Sequence, residues 1–96
     1  MNKVLVDTNI LIYALDDKSE FHSSALAVLQ HKDYRIYICT KNISEFFAVC
    51  TKLKYTQGAI FDFYEDVKTS TDILYPDSNS LRLFESLLMR YQPRGN

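Results

Sequence analysis

Val4-Leu5-Val6-Asp7-Thr8-Asn9-Ile10-Leu11-Ile12 runs three aliphatic residues into a single carboxylate and then resumes an apolar pattern. A short aliphatic run of this kind is the signature of a strand buried on both faces, and such strands belong to parallel α/β sheets. Asp7 stands at the carboxyl end of that strand, where open α/β sheets expose ligand-binding groups. The apolar neighbours fix the main chain while the carboxylate stays reachable, an arrangement that can hold a cation. Asp7 also suits a helix cap, with the N–H groups of Asn9 and Ile10 in reach, and the two roles are compatible.

Outward from this stretch, Lys3 to Val6 reads as the first strand and Asn9 to Leu15 as a short apolar helix, followed by the loop Asp16-Asp17-Lys18-Ser19. Ser19 can cap a second helix whose face is Phe21, Ala25, Val28 and Leu29, ending near His31. Ile36 to Cys39 is the second strand. A helix opening somewhere between Thr40 and Asn42 then presents Ile43, Phe46, Phe47 and Cys50, and Thr56 restarts a helix through about Lys68 with Ile60, Phe61 and Tyr64 on one side. Asp72 to Tyr75 forms a short third strand stopped by Pro76. A last helix, capped by Asp77 or Ser78, carries the stripe Leu81, Phe84, Leu87, Leu88 and Tyr91. The order β-α-α-β-α-α-β-α predicts a three-layer α/β fold with a short parallel sheet flanked by helices, in one domain spanning residues 1–96.

At 96 residues, 47% hydrophobic and 24% charged, the chain has room for one core and is too apolar for a disordered tail. No apolar run approaches the roughly 20 residues needed to span a bilayer, and Met1-Asn2-Lys3 leads straight into a strand, so a cytoplasmic protein without membrane contact is expected. Cys39 and Cys50 lack a second pair and zinc-site spacing, and they read as buried or half-buried thiols. A net charge of −1 argues against holding nucleic acid by overall charge, which leaves local recognition. The seven tyrosines and six phenylalanines are better used in a small core than as a stacking platform. RNP, Walker A, Rossmann glycine and zinc-finger patterns are absent.

Glu45 follows the second strand by a few residues and can reach the same sheet edge as Asp7. Asn42-Ile43-Ser44-Glu45 also has capping-box spacing, which would occupy Glu45 locally unless the helix starts at Thr40. Asn9, Thr40, Asn42 and Ser44 bring neutral oxygens near the two carboxylates, as supports for them or for water, or simply as turn and cap residues. Thr8 reads as a backbone organiser. Asp16, Asp17 and Asp77 suit solvated loops and caps, with Asp17 of interest only if it packs near Asp7. Lys41, Lys52, Lys54, Arg82, Arg90 and Arg94 could contact phosphate, but ordinary surface solubility is the better default for any one of them. His22 and His31 have no matched nucleophile and read as surface or packing residues.

The segment from Val4 to Ala14 and the segment Thr40-Lys41-Asn42-Ile43-Ser44-Glu45-Phe46 together closely resemble the opening and middle acidic motifs of PIN-domain ribonucleases, the small toxin-type branch in particular. The resemblance runs along almost the whole chain. It implies a PIN-like fold in which Asp7 is the first carboxylate and Glu45 the second, holding Mg²⁺ or Mn²⁺ for hydrolysis of RNA phosphodiester bonds, with Asn9 supporting Asp7 or water. Hard oxygen donors suit those ions better than zinc. It also implies an antitoxin as partner. In the family the remaining acidic positions follow a basic, glycine-containing bridge like Pro93-Arg94-Gly95-Asn96, where this sequence ends, and Asp77 does not replace them. The expectation is therefore the N-terminal portion of the domain, with an incomplete acidic cluster and impaired cleavage.

Two other readings compete. A noncatalytic interaction module would use exposed strand and helix surfaces to join a second copy as a homodimer, a completing C-terminal segment or an inhibitory protein. An Asp-based phosphatase or signalling receiver would want an acidic residue where Asn9 stands, or a longer alternating domain with a later lysine-bearing strand.

Overall fold

β1 (Asn2–Val6) and β2 (Tyr34–Cys39) pair in parallel, with Val4 opposite Ile36 and Leu5 opposite Tyr37. The structure is a computed structural model and describes residues 2–75 and 90–91. Between the two strands lie α1 (Thr8–Leu15) and α2 (His22–Leu29). After β2 come α3 (Thr40–Lys52), α4 (Gln57–Ser70) and β3 (Asp72–Leu74), which pairs in parallel with β2. The alternation expected from sequence is present, and both crossovers return the chain to a parallel neighbour through helices.

The end of the chain departs from expectation. Tyr91 belongs to β4 (Arg90–Tyr91), not to a helical stripe, and β4 pairs in parallel with β1, placing Leu5 beside Arg90 and Val6 beside Tyr91. The sheet order is β3-β2-β1-β4, so among the described residues the sheet has four strands where three were expected. The physical reason lies in β1. Its last three residues are buried, so backbone N–H and C=O groups on both of its edges need partners, and β2 supplies only one edge. The rest of the expected last helix, from Asp77 or Ser78 through Leu88, lies outside the described residues, as do Arg82, Arg94 and the bridge from Pro93 to Asn96.

Strand alternation divides the apolar residues between the faces of the sheet. Val4, Val6, Ile36 and Ile38 face the main core with Ile10, Leu11, Ala14, Ala25, Val28, Phe46, Cys50, Ile60 and Val67. Leu5, Tyr37 and Leu74 are buried on the opposite face. All four described helices pack on the first of these faces. Each fully buried side chain such as Leu11 or Phe46 contributes about 1.5–3 kcal/mol. That burial is what sustains α1 and α2, each only eight residues long and too short to be stable alone.

Local chemistry sets the helix ends. Thr56, where the sequence predicted that a helix restarts, caps α4 by accepting a hydrogen bond from the Ala59 N–H at 3.2 Å. Ser19 does not cap α2. Its hydroxyl accepts from the Phe21 N–H at 3.0 Å, in a turn that precedes the helix. α3 ends with Lys54 at φ 65°, while the N–H of Lys54 reaches the Thr51 carbonyl and that of Tyr55 reaches the Cys50 carbonyl, both at 3.1 Å. This pair of bonds is a Schellman motif with a lysine where glycine is usual. No helix among the described residues is long and apolar enough to cross a membrane.

Candidate functional site

The strand order places the site. β1 is the inner strand from which the chain steps outward to β2 and β3 before returning to its other side at β4, and the carboxyl ends beside such a reversal are where α/β sheets bind ligands. Asp7 leaves β1 there in extended conformation, φ −84° and ψ 164°. Its carbonyl accepts from the Ile10 N–H at 3.1 Å, but its carboxylate makes no capping hydrogen bond to α1. The Asp7 side chain lines an open cleft of about 320 Å³ together with Thr8, Asn9, Cys39, Lys41, Asn42 and Glu45.

α3 begins directly after β2, with Cys39 at the N-cap position. That start settles the competition over Glu45. Thr40 is the first helical residue and Asn42 lies inside the helix, so the capping-box alternative is excluded and Glu45 sits in the second turn. Asn42 and Glu45, three residues apart, fall on one side of the helix. The Asn42 amide donates from Nδ2 to the Thr8 hydroxyl oxygen at 3.0 Å. The Thr8 hydroxyl in turn lies 3.4 Å from Glu45 Oε2 and 3.4 Å from the Asn42 carbonyl, and its one proton serves one of these acceptors at a time.

Thr8 is thus more than a backbone organiser: it is 9% exposed and ties the start of α1 to α3 beside Glu45. Sequence reasoning missed this role, since its partners lie 34 and 37 positions away. Cys39 and Lys41 were also not singled out for the cleft they line. Of the expected supports, Asn9 and Asn42 reach the cleft, while Thr40 and Ser44 do not line it. Asp16 and Asp17 are at the far end of α1. Burial pushes the Tyr55 phenol upward, and these two carboxylates add to the effect, which places them against the α3–α4 connection and away from Asp7. His22 Nδ1 lies 3.0 Å from the Tyr13 carbonyl and His31 stacks on Tyr34, both packing roles. Cys39 is half-buried and Cys50 buried, and both are free thiols.

The donor set of the cleft is two carboxylates with amide and hydroxyl oxygens, together with the Cys39 thiol. No group of three or more His, Cys, Asp or Glu side chains converges as a metal site among the described residues. Two carboxylates nevertheless suit Mg²⁺, which commonly binds proteins through one or two carboxylates and keeps water or substrate phosphate in its other positions.

The model of the PIN domain matches residues 4–95. The chain belongs to the PIN-domain family and has its nuclease-type fold, and PIN domains generally depend on divalent metal ions. No curated protein and no solved structure matches the chain.

Proposed function

We propose that this protein is a metal-dependent endoribonuclease that uses Mg²⁺ or Mn²⁺, of the toxin type, with an antitoxin as its protein partner. The observation that carries the reading is the convergence of Asp7 and Glu45, from two separate strand-to-helix exits, on one cleft at the carboxyl edge of a PIN-family sheet. Asp7 and Glu45 would hold the ion, Asn9 and Asn42 offer amide groups to water or to the phosphate, and Thr8 steadies Glu45. A bound divalent ion supplies activation of water and offsets charge on the nonbridging phosphate oxygens. Hydrolysis joins a water oxygen to phosphorus and breaks one ester P–O bond, and the departing ribose oxygen takes up a proton.

The test is cleavage of a panel of structured RNAs by purified chain in Mg²⁺, Mn²⁺ or EDTA, beside Asp7→Asn and Glu45→Gln. Metal-dependent cleavage reduced by roughly 100-fold or more in each variant is expected. Cleavage that persists unchanged in both variants refutes the assignments.

A second reading rests on the absence of a third acidic ligand among the described residues. It is a noncatalytic PIN-derived module that acts through self-association or a protein partner. No cleavage by a folded chain, together with concentration-dependent association in sedimentation, would favour it.

A further inference from the structure

The two carboxylate oxygens of Glu45 are in different situations. Oε2 lies 3.4 Å from the Thr8 hydroxyl, whereas Oε1 has no hydrogen-bond or ion-pair partner among the described residues. Which way the Thr8 proton turns follows from its surroundings. Asn42 Nδ2 donates to Thr8 Oγ1 at 3.0 Å, so that oxygen is held as an acceptor and the hydroxyl's own proton is left to donate. Its two acceptors, the Asn42 carbonyl and Glu45 Oε2, both stand at 3.4 Å, long for such a bond, and the choice between them is electrostatic. The carbonyl is neutral and lies inside α3, where the helix pattern gives it the Phe46 N–H. Oε2 belongs to a carboxylate, and bonds to an ionised acceptor are about twice as strong as neutral ones, so the proton goes to Glu45. Thr8 is buried, which keeps water from competing for that proton.

We propose that Asn42 and Thr8 are positioning residues that hold Glu45 Oε2, leave Oε1 as the one oxygen offered to an ion, and so make the cleft select Mg²⁺ or Mn²⁺ against Ca²⁺. This rests on the metal-dependent reading of the cleft and adds what the site rejects. Ca²⁺ gathers about 6–8 oxygens and commonly takes both oxygens of a carboxylate, whereas Mg²⁺ is content with one or two carboxylates in an octahedral shell and keeps water in the rest. Mn²⁺ shares that preference for octahedral oxygen ligands. A Glu45 limited to one oxygen costs the smaller ions nothing and deprives Ca²⁺ of a donor.

The experiment reads ion binding alone, with no RNA present. Wild-type chain is titrated with Mn²⁺, free Mn²⁺ is followed by electron paramagnetic resonance, and bound Mn²⁺ is then displaced with Mg²⁺ or Ca²⁺. Thr8→Val, Thr8→Ser, Asn42→Leu and Asp7→Asn are treated alike, and thermal melting confirms that each is folded. Wild type is expected to prefer Mn²⁺ and Mg²⁺ over Ca²⁺. Removing the partner that orients a metal-binding carboxylate lowers affinity by about 10–100-fold. In Thr8→Val that loss should fall on Mn²⁺ and Mg²⁺, while Ca²⁺, which can now take both oxygens of Glu45, should change little, so the preference narrows by about 10-fold or more. Thr8→Ser keeps the hydroxyl and should keep the preference. Asn42→Leu lets the Thr8 hydroxyl turn away and should narrow the preference in the same direction, at a half-buried position that keeps the test in hand if Thr8→Val unfolds.

A merely structural role for the pair would weaken all three ions together. Equal losses, an unchanged preference in the variants, or a wild type that does not discriminate against Ca²⁺ each overturn the proposal, and Mn²⁺ binding that disappears in Asp7→Asn would leave the metal-dependent reading standing. A folded wild-type chain that binds no Mn²⁺ removes that reading and the ion choice with it.

Discussion

Replacing Thr8 by valine keeps the branched shape of the side chain and removes one hydroxyl. That oxygen accepts from Asn42 Nδ2 at 3.0 Å and lies 3.4 Å from Glu45 Oε2, at a position only 9% exposed. A buried donor stripped of its acceptor costs about 1–3 kcal/mol, and because Asn42 is half-buried, so that water can partly replace the lost oxygen, the expected loss is about 1–1.5 kcal/mol. In a domain of this size each kcal/mol moves Tm by about 4–8 °C, so melting should fall by about 4–12 °C. The second consequence is at Glu45, which loses a neighbour that steadies its carboxylate. Loss of such a support typically lowers metal affinity by about 10–100-fold. Melting by circular dichroism reads the first effect, and electron paramagnetic resonance of free Mn²⁺ during titration reads the second without any RNA. A lower Tm with unchanged Mn²⁺ affinity would reduce Thr8 to a structural tie, and no change in either would refute the contact itself. Combining Thr8→Val with Glu45→Gln sharpens the test, since residues in one network couple by about 0.5–3 kcal/mol while independent ones add.

Lys54→Gly should stabilise the protein by about 0.5–1 kcal/mol, because the left-handed φ of 65° strains a side chain but not glycine; an unchanged or lower Tm would contradict the strain. Burial pushes the Cys50 thiol from its ordinary 9.0 up to about 11. Its contribution to stability is complete below about pH 9 and lost as pH rises from about 9 to about 11, because the unfolded chain releases the proton first. Tm should therefore fall more steeply across that window in the wild-type chain than in Cys50→Ala, and equal slopes would refute the burial argument. Native Cys39, half-buried at the cleft, should react with a thiol reagent well before Cys50, which should react only on unfolding.

Much of the fold is legible in local patterns. The run Val4-Leu5-Val6 announces a buried parallel strand, Ile36 to Ile38 repeats the signal, and Thr56 states where α4 starts, because aliphatic runs and caps act within a few residues of themselves. Element ends were less legible. Ser19 has the chemistry of a cap but serves the turn before α2, and Tyr91 follows the stripe of Leu87 and Leu88 at helical spacing yet pairs beside Val6. A helical period describes side chains, whereas β4 answers an unmet backbone need on the far edge of β1, one that no local pattern reveals.

The sequence by itself pointed to Asp7 and Glu45 as the carboxylates to test, since each follows a strand, and the ion expected there came with the resemblance to a family. Only the tertiary structure decided that α3 begins at Thr40, which excludes Glu45 from a capping box, and that Thr8 bridges α1 to Asn42 beside Glu45. It also decided that Lys41 shares their cleft while Asp16 and Asp17 are carried to the far end of α1. The reason is the range of the forces. Strand and helix preferences act between near neighbours, whereas a site is assembled by parallel pairing of β1 with β2, which brings together residues that the chain itself holds far apart.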